Sequence, residues 1–170
     1  MNYNFHTHTV RCHHATGTPR EYIERAIEGG IKYMGFSDHA PFCFPDGYEP
    51  IVRVRTDEAA DYISELRSLR EEYKDKIDIK IGFEMEYYPK YFDQMLKNVI
   101  DYGAEYLILG QHYVYNEHPD GISAFEETDK AEDLKAYADR IIFAAQSKYF
   151  SYIAHPDFIK FTGDIKEYKK

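Results

Sequence analysis

The feature that most constrains this chain is an alternation. A short apolar run is followed by a loop and an amphipathic helical stretch, and the unit then recurs. The runs read as strands at residues 2–7, IKYMGFS (31–37), IDIKIGF (77–83), EYLILGQ (105–111) and YFSYIA (149–154). The first helix lies in TGTPREYIERAIEGG. Thr18 is its N-cap, Pro19 its first helical residue, and Glu21 completes a capping box. Tyr22, Ile23, Ala26 and Ile27 form its apolar face. Further helices are expected from near Thr56, with the stripe Ile63, Leu66, Leu69 and Tyr73, and from Pro89, with Phe92, Met95, Leu96, Val99 and Ile100 inward. A fourth follows Thr128, with Leu134, Tyr137, Ile141, Ile142 and Ala145 inward. Strands alternating with long helices specify an α/β fold with a parallel sheet. Right-handed crossovers place the helices on one side if that sheet curls into a barrel.

The polar residues are not scattered over this frame. Strand one ends in His6 and His8, strand two in Asp38-His39, strand three in Glu84 and Glu86, strand four in His112, and strand five in His155 and Asp157. The C-terminal edge of a parallel sheet is where α/β proteins build their sites. Residues i and i+2 share a strand face, so His6 and His8 can aim at one point. Imidazoles and carboxylates converging without a basic cluster suit a borderline divalent metal: zinc, manganese or iron. Glu84 is the better ligand of its pair, with Glu86 behind it or solvated. His13 and His14 are adjacent, so only one of them is expected to ligate. His118, in NEHPDG, reads as an exposed loop histidine. Asp157 could orient His155 or cap the next turn.

Composition narrows the partners. The chain has 170 residues, enough for one domain with a sizeable core, and a formal charge of −9. That charge argues against nucleic-acid binding, which wants a basic surface. It does not exclude an anionic substrate held through bound cations. No apolar stretch approaches a membrane span and no signal peptide is evident, so no membrane partner is expected. Cys12 and Cys43 read as free thiols of a reducing cytoplasm. Cys12, close to the histidines, could also offer a thiolate.

The ordered set HTHT, GFSDHAP, GFEMEYYP, GQHY and AHPDFIKF resembles the polymerase and histidinol phosphatase (PHP) superfamily, and within it the monofunctional histidinol-phosphate phosphatases. An amidohydrolase also opens with HxH, but it would need a metal-bridging lysine and no SDH. The resemblance implies a distorted (βα)7 TIM-like barrel with two or three divalent metal ions. His6 and His8 would bind one ion. Glu84 would bridge it to a second, held also by His112 and His155. His14 and His39 would hold a third, leaving His13 a neighbour. The implied activity is hydrolysis of a small phosphorylated substrate, most closely histidinol phosphate. The ions would activate a water and neutralise the phosphate. Asp38 is the expected orienting partner of His39. Arg11, Arg53 and Arg55 are candidate phosphate contacts. Other phosphoesterases share the superfamily and remain alternatives.

The sequence also departs from the family, whose members end in a DxH motif. Here the chain stops at FTGDIKEYKK, where Asp164 is followed by no histidine. The expectation is a single PHP domain over 1–170, C-terminally shortened to about five βα units, with the first and third metals each lacking a ligand. A metal-binding remnant without activity is therefore a further alternative. An incomplete barrel leaves open edges, which could pair in a homodimer.

Overall fold

The computed structural model describes residues 2–169. Five parallel strands, β1 (Tyr3–Asn4), β2 (Tyr33–Phe36), β3 (Asp78–Met85), β4 (Tyr106–Gly110) and β5 (Tyr152–Ala154), lie in sequential order in one sheet. Four long helices alternate with them: α1 (Pro19–Glu28), α2 (Ala59–Tyr73), α3 (Phe92–Tyr102) and α4 (Ala131–Ser147). A short α5 (Ile165–Tyr168) follows, which the periodicity does not announce. The architecture is the expected α/β one, a curled half-barrel of five βα units.

Local chemistry explains the elements. α1 opens on the anticipated capping box, with Thr18 Oγ1 accepting from the Glu21 backbone at 3.3 Å and Glu21 Oε2 accepting from the Thr18 backbone at 2.7 Å. β3 is buried on both faces from Ile81 onward, as a central parallel strand requires. Its Ile79, Ile81 and Phe83 join Met34, Phe36, Tyr62, Leu66 and Val99 in the main core. A smaller cluster gathers Val114, Ala124, Tyr137 and Ile159 beside α4.

Several elements differ from the reading of the sequence, β5 among them, which covers only Tyr152–Ala154 of the expected 149–154. β1 is far shorter than residues 2–7, because Asn4 turns its side chain back to the His6 backbone N–H at 3.0 Å. The segment still runs beside β2, through Ser37 N–H to Thr7 O at 3.0 Å and Thr7 N–H to Ser37 Oγ at 3.2 Å. α3 turns Ile100 outward, 57% exposed. α4 turns Ile142 and Ala145 to solvent and buries Asp133, Tyr137 and Ala144. The consecutive apolar residues Ile141, Ile142 and Phe143 satisfy more than one helical stripe, so periodicity cannot choose among them.

The curl of the sheet is tied by Tyr106. Its hydroxyl, at the start of β4, reaches Phe5 O and Phe36 O, both at 2.9 Å, beyond the far side of β3. Gly35 of β2 leaves the room for this crossing, since a Cβ there would overlap both the Tyr106 hydroxyl and the Phe5 ring. Tyr106→Phe removes the donor while keeping the ring, and leaves two carbonyls short of a partner. It should destabilise the fold by about 1–2 kcal/mol, seen as a lowered urea midpoint at unchanged slope; an unchanged midpoint would show that the crossing holds nothing.

Candidate metal centre

Each strand delivers its polar residue to the same edge. His6 and His8 follow β1, and a single 3-10 turn at Val10–Cys12 then brings His14 back over them. His39 follows β2 and extends its pairing by a bridge to Glu84. Glu84 ends β3, His112 follows β4 and His155 follows β5.

Glu84 is the centre of the arrangement. It is 1% exposed. Its Oε2 lies 2.8 Å from His8 Nε2, 3.0 Å from His6 Nε2 and 3.6 Å from His39 Nδ1. Its Oε1 lies 3.1 Å from His155 Nε2 and 3.7 Å from His112 Nε2. Burial alone would raise its pKa, but hydrogen bonds from His155, His6 and His8 hold it far below the carboxylate range. On the facing strand Gly110 has no side chain because the Glu84 carboxylate fills that space.

These atoms fit divalent ions. The trios His6–Glu84–His155, His8–His39–Glu84, His39–Glu86–His112 and His8–Cys12–His14 each place three ligand atoms within 4.8 Å of one another. Nδ1 of His8, His39 and His155 is buried without a hydrogen-bond partner among the described residues. His6 Nε2 and His8 Nε2 face each other at 3.0 Å, the approach of two donors to one point. Burial pushes His39 down to about 3, so its ring is neutral at pH 7, the form a metal requires. The His14 ring lies 4.9 Å from that of His39 and 5.0 Å from that of His8. Cys12 is a weaker donor: its thiol donates to Thr9 O at 3.1 Å, and burial pushes its pKa up to about 12.

Other expected residues lie elsewhere. Asp38 does not contact His39. Its Oδ1 accepts from the Thr9 backbone N–H at 2.6 Å and both oxygens accept from the Thr9 hydroxyl, so it anchors the histidine-bearing loop instead. The residue behind a ligand ring is Glu86, whose Oε1 lies 2.9 Å from His112 Nδ1. Arg53 is not at a phosphate site. It is 1% exposed, and its guanidinium donates to Glu86 Oε2 at 2.5 Å, to Glu117 Oε2 at 2.5 Å through Nε, and to Ala40 O at 2.9 Å. Arg55 pairs with Asp57 and Glu49, and Arg11 with Glu65. None of the three arginines lines the central cavity. His13, at φ 61°, turns away toward Glu58 at 3.7 Å. His118 bonds Asp46 at 2.7 Å outside the centre, and Asp157 is exposed.

The cavity over the histidines has a volume of about 330 Å³. Beyond the expected donors it is lined by Val52, Tyr113, Glu117, Phe125 and Phe158. Glu117 carried no signal of its own, because it sits in a polar, turn-like loop where a carboxylate normally faces water. Phe158 lies inside the AHPDFIKF motif, and its ring packs 4.8 Å from His155 and 5.7 Å from His112.

A parallel half-barrel with a carboxylate-centred histidine cluster at its C-terminal edge defines an α/β protein with a candidate metal site. The PHP domain family matches residues 4–170, and the chain belongs to that family. It is 31% identical to a probable histidinol-phosphatase of Deinococcus radiodurans over 166 residues, covering 94% of this chain and 62% of that protein. It is 30% identical to the histidinol-phosphatase of Bacillus subtilis over 118 residues, covering 64% of this chain and 43% of that protein. The chain thus spans less than two thirds of the length of these relatives. The fold matches the crystal structure of histidinol phosphate phosphatase from Lactococcus lactis, complexed with zinc, L-histidinol and phosphate. The TM-score is 0.70 at 22% identity, covering 99% of this chain and 65% of that one.

Among the described residues, Arg53 is the one cation that bonds both buried carboxylates, Glu86 and Glu117, while Glu86 also meets His112. Replacing it by Met leaves Glu117 without a partner and Glu86 with His112 alone, and should destabilise the fold by about 3–5 kcal/mol in chemical denaturation. Adding Glu117→Gln to that variant should recover part of the loss; a variant as stable as the parent would show that the cluster holds little.

Proposed function

We propose that this chain is a metal-dependent phosphomonoester hydrolase of the histidinol-phosphatase type, acting on a small phosphorylated substrate. The observation that carries the reading is the contact of Glu84 with five imidazoles inside a cavity of about 330 Å³, large enough for a compact phosphate ester. Two or three ions of zinc, manganese or iron, when bound, would bring Lewis acidity and positive charge for phosphoryl transfer. His6, His8, His14, His39, Glu84, His112 and His155 would hold them.

The protein's own residues do the rest. Glu86 accepts from His112 Nδ1 and so fixes that ring with Nε2 turned toward Glu84. Asp38 clamps the loop carrying His8 through Thr9. Phe125 and Phe158 wall the cavity beside the histidines. The reading includes a role in histidine biosynthesis and a cytoplasmic location. It includes no nucleic-acid or membrane partner: the formal charge is −9, and among the described residues no helix is long and apolar enough to cross a membrane.

Phosphate release from L-histidinol phosphate, assayed with added zinc, manganese or iron, should exceed that of a Glu84→Gln variant by at least about a thousandfold, since the central anion is lost. Elemental analysis of the variant should show reduced metal content. Bound metal without turnover under any ion would sink the hydrolase reading and favour a non-catalytic remnant.

The reading also extends to a homodimer through the sheet edges. β1 and β5 each pair on one side only, and Tyr3, Tyr149 and Tyr152 are exposed near them. Sedimentation equilibrium should show self-association, and a monomer at high protein concentration would remove this part of the reading.

A further inference from the structure

The metal donors do not account for Glu117. It is only 7% exposed, lines the cavity, and belongs to none of the donor trios. Its Oε2 takes the Arg53 guanidinium, while its Oε1 has no hydrogen-bond partner among the described residues. Two buried carboxylates, Glu86 and Glu117, therefore share the Arg53 guanidinium, and Glu86 alone has a second partner, His112 Nδ1 at 2.9 Å, which leaves Glu117 the less compensated of the two. Burial, with Glu86 as a neighbour, raises the Glu117 pKa despite Arg53. A buried carboxylate with an open oxygen is stabilised by an incoming cation that brings its own hydrogen-bond donors.

The surroundings select what kind of cation that is. Tyr113 and Val52 lie on the same cavity, and Phe125 and Phe158 meet edge to face at 4.5 Å. Aromatic and aliphatic walls beside one carboxylate suit an organic cation with a flat apolar body better than a hydrated metal ion. We propose that Glu117 and these walls form a subsite for the primary ammonium group of the substrate, which places its phosphate over the histidine cluster. This deepens the hydrolase reading and rests on it for the identity of the ester. Glu117 is then a specificity residue, selecting amine-bearing phosphate esters over neutral ones.

The test is a binding measurement on the whole chain, zinc-loaded and metal-free. Calorimetry compares L-histidinol with 4-(3-hydroxypropyl)imidazole, which differs from it only in lacking the amine, on the parent protein and on Glu117→Gln. The glutamine keeps an acceptor for Arg53 and removes the charge. The parent should prefer L-histidinol by at least about tenfold, and Glu117→Gln should erase most of that preference. Equal affinity of the parent for both compounds overturns the subsite without recourse to any variant. Parallel weakening of both compounds in Glu117→Gln overturns it too, as does loss of bound zinc in that variant, which would make Glu117 a metal ligand. Phosphate release is scored separately. A chain that selects the amine through Glu117 but hydrolyses nothing keeps the subsite and loses the enzyme reading. One that hydrolyses without selecting the amine does the reverse.

Discussion

A carboxylate buried at the end of β3 governs the rest of this structure. Glu84 is almost without solvent, and an isolated anion there would be strongly destabilising. It is tolerated because imidazole nitrogens from all four of the other strand ends come within 2.8–3.7 Å of its two oxygens. Those nitrogens can meet only if the strands are parallel, sequential and curled. The Tyr106 crossing that ties the curl and the bare Cα of Gly110 beside the carboxylate are thus parts of one requirement. Histidine nitrogens without hydrogen-bond partners among the described residues, set around a carboxylate, are what divalent ions would complete.

A second electrostatic layer lies behind the first. Glu84 and Glu86 are two residues apart on one strand face, so both point inward. Glu84 meets the histidine rings, while Glu86 meets the back of His112 and the buried Arg53. Arg53 also donates to Glu117 Oε2 and to Ala40 O just after His39, joining the loops that follow β2, β3 and β4. A guanidinium is suited to this because its planar fork can serve three acceptors at once. The arginine that resembled a phosphate contact is instead the anchor of the cavity floor.

Much of this was legible in the sequence, and the limits have physical causes. Strand and helix alternation read correctly because each element carries its own period, and the Thr18–Glu21 box marked its helix start to the residue. The convergence of these histidines and glutamates was legible because a parallel sheet sends every strand end to one edge. Partners that depend on loop paths were not. Asp38 neighbours His39 in sequence, yet its carboxylate points to Thr9, because consecutive side chains diverge on an extended backbone. Arg53 and Glu117 are 64 residues apart and meet only after two loops close. The faces of α4 failed for a related reason: a run of three apolar residues leaves rotation about the helix axis to tertiary packing.

The distribution of charge links these observations to substrate choice. The chain is acidic overall, its cavity wall carries Glu84, Glu86 and Glu117, and the one buried arginine among them is already engaged. Under the hydrolase reading, no guanidinium among the described residues lines the cavity to meet a phosphate. Phosphate affinity must then depend on bound divalent ions, so metal occupancy and phosphate binding are linked, each strengthening the other by the same factor. The opposite end of the cavity makes the converse demand. There the unmatched carboxylate repels a dianion and attracts an amine, so a zwitterionic ester has only one favourable orientation. A cavity with a cation-dependent phosphate end and an anionic, aromatic end discriminates by polarity along its length, and an ester lacking either charge forfeits one end of that match.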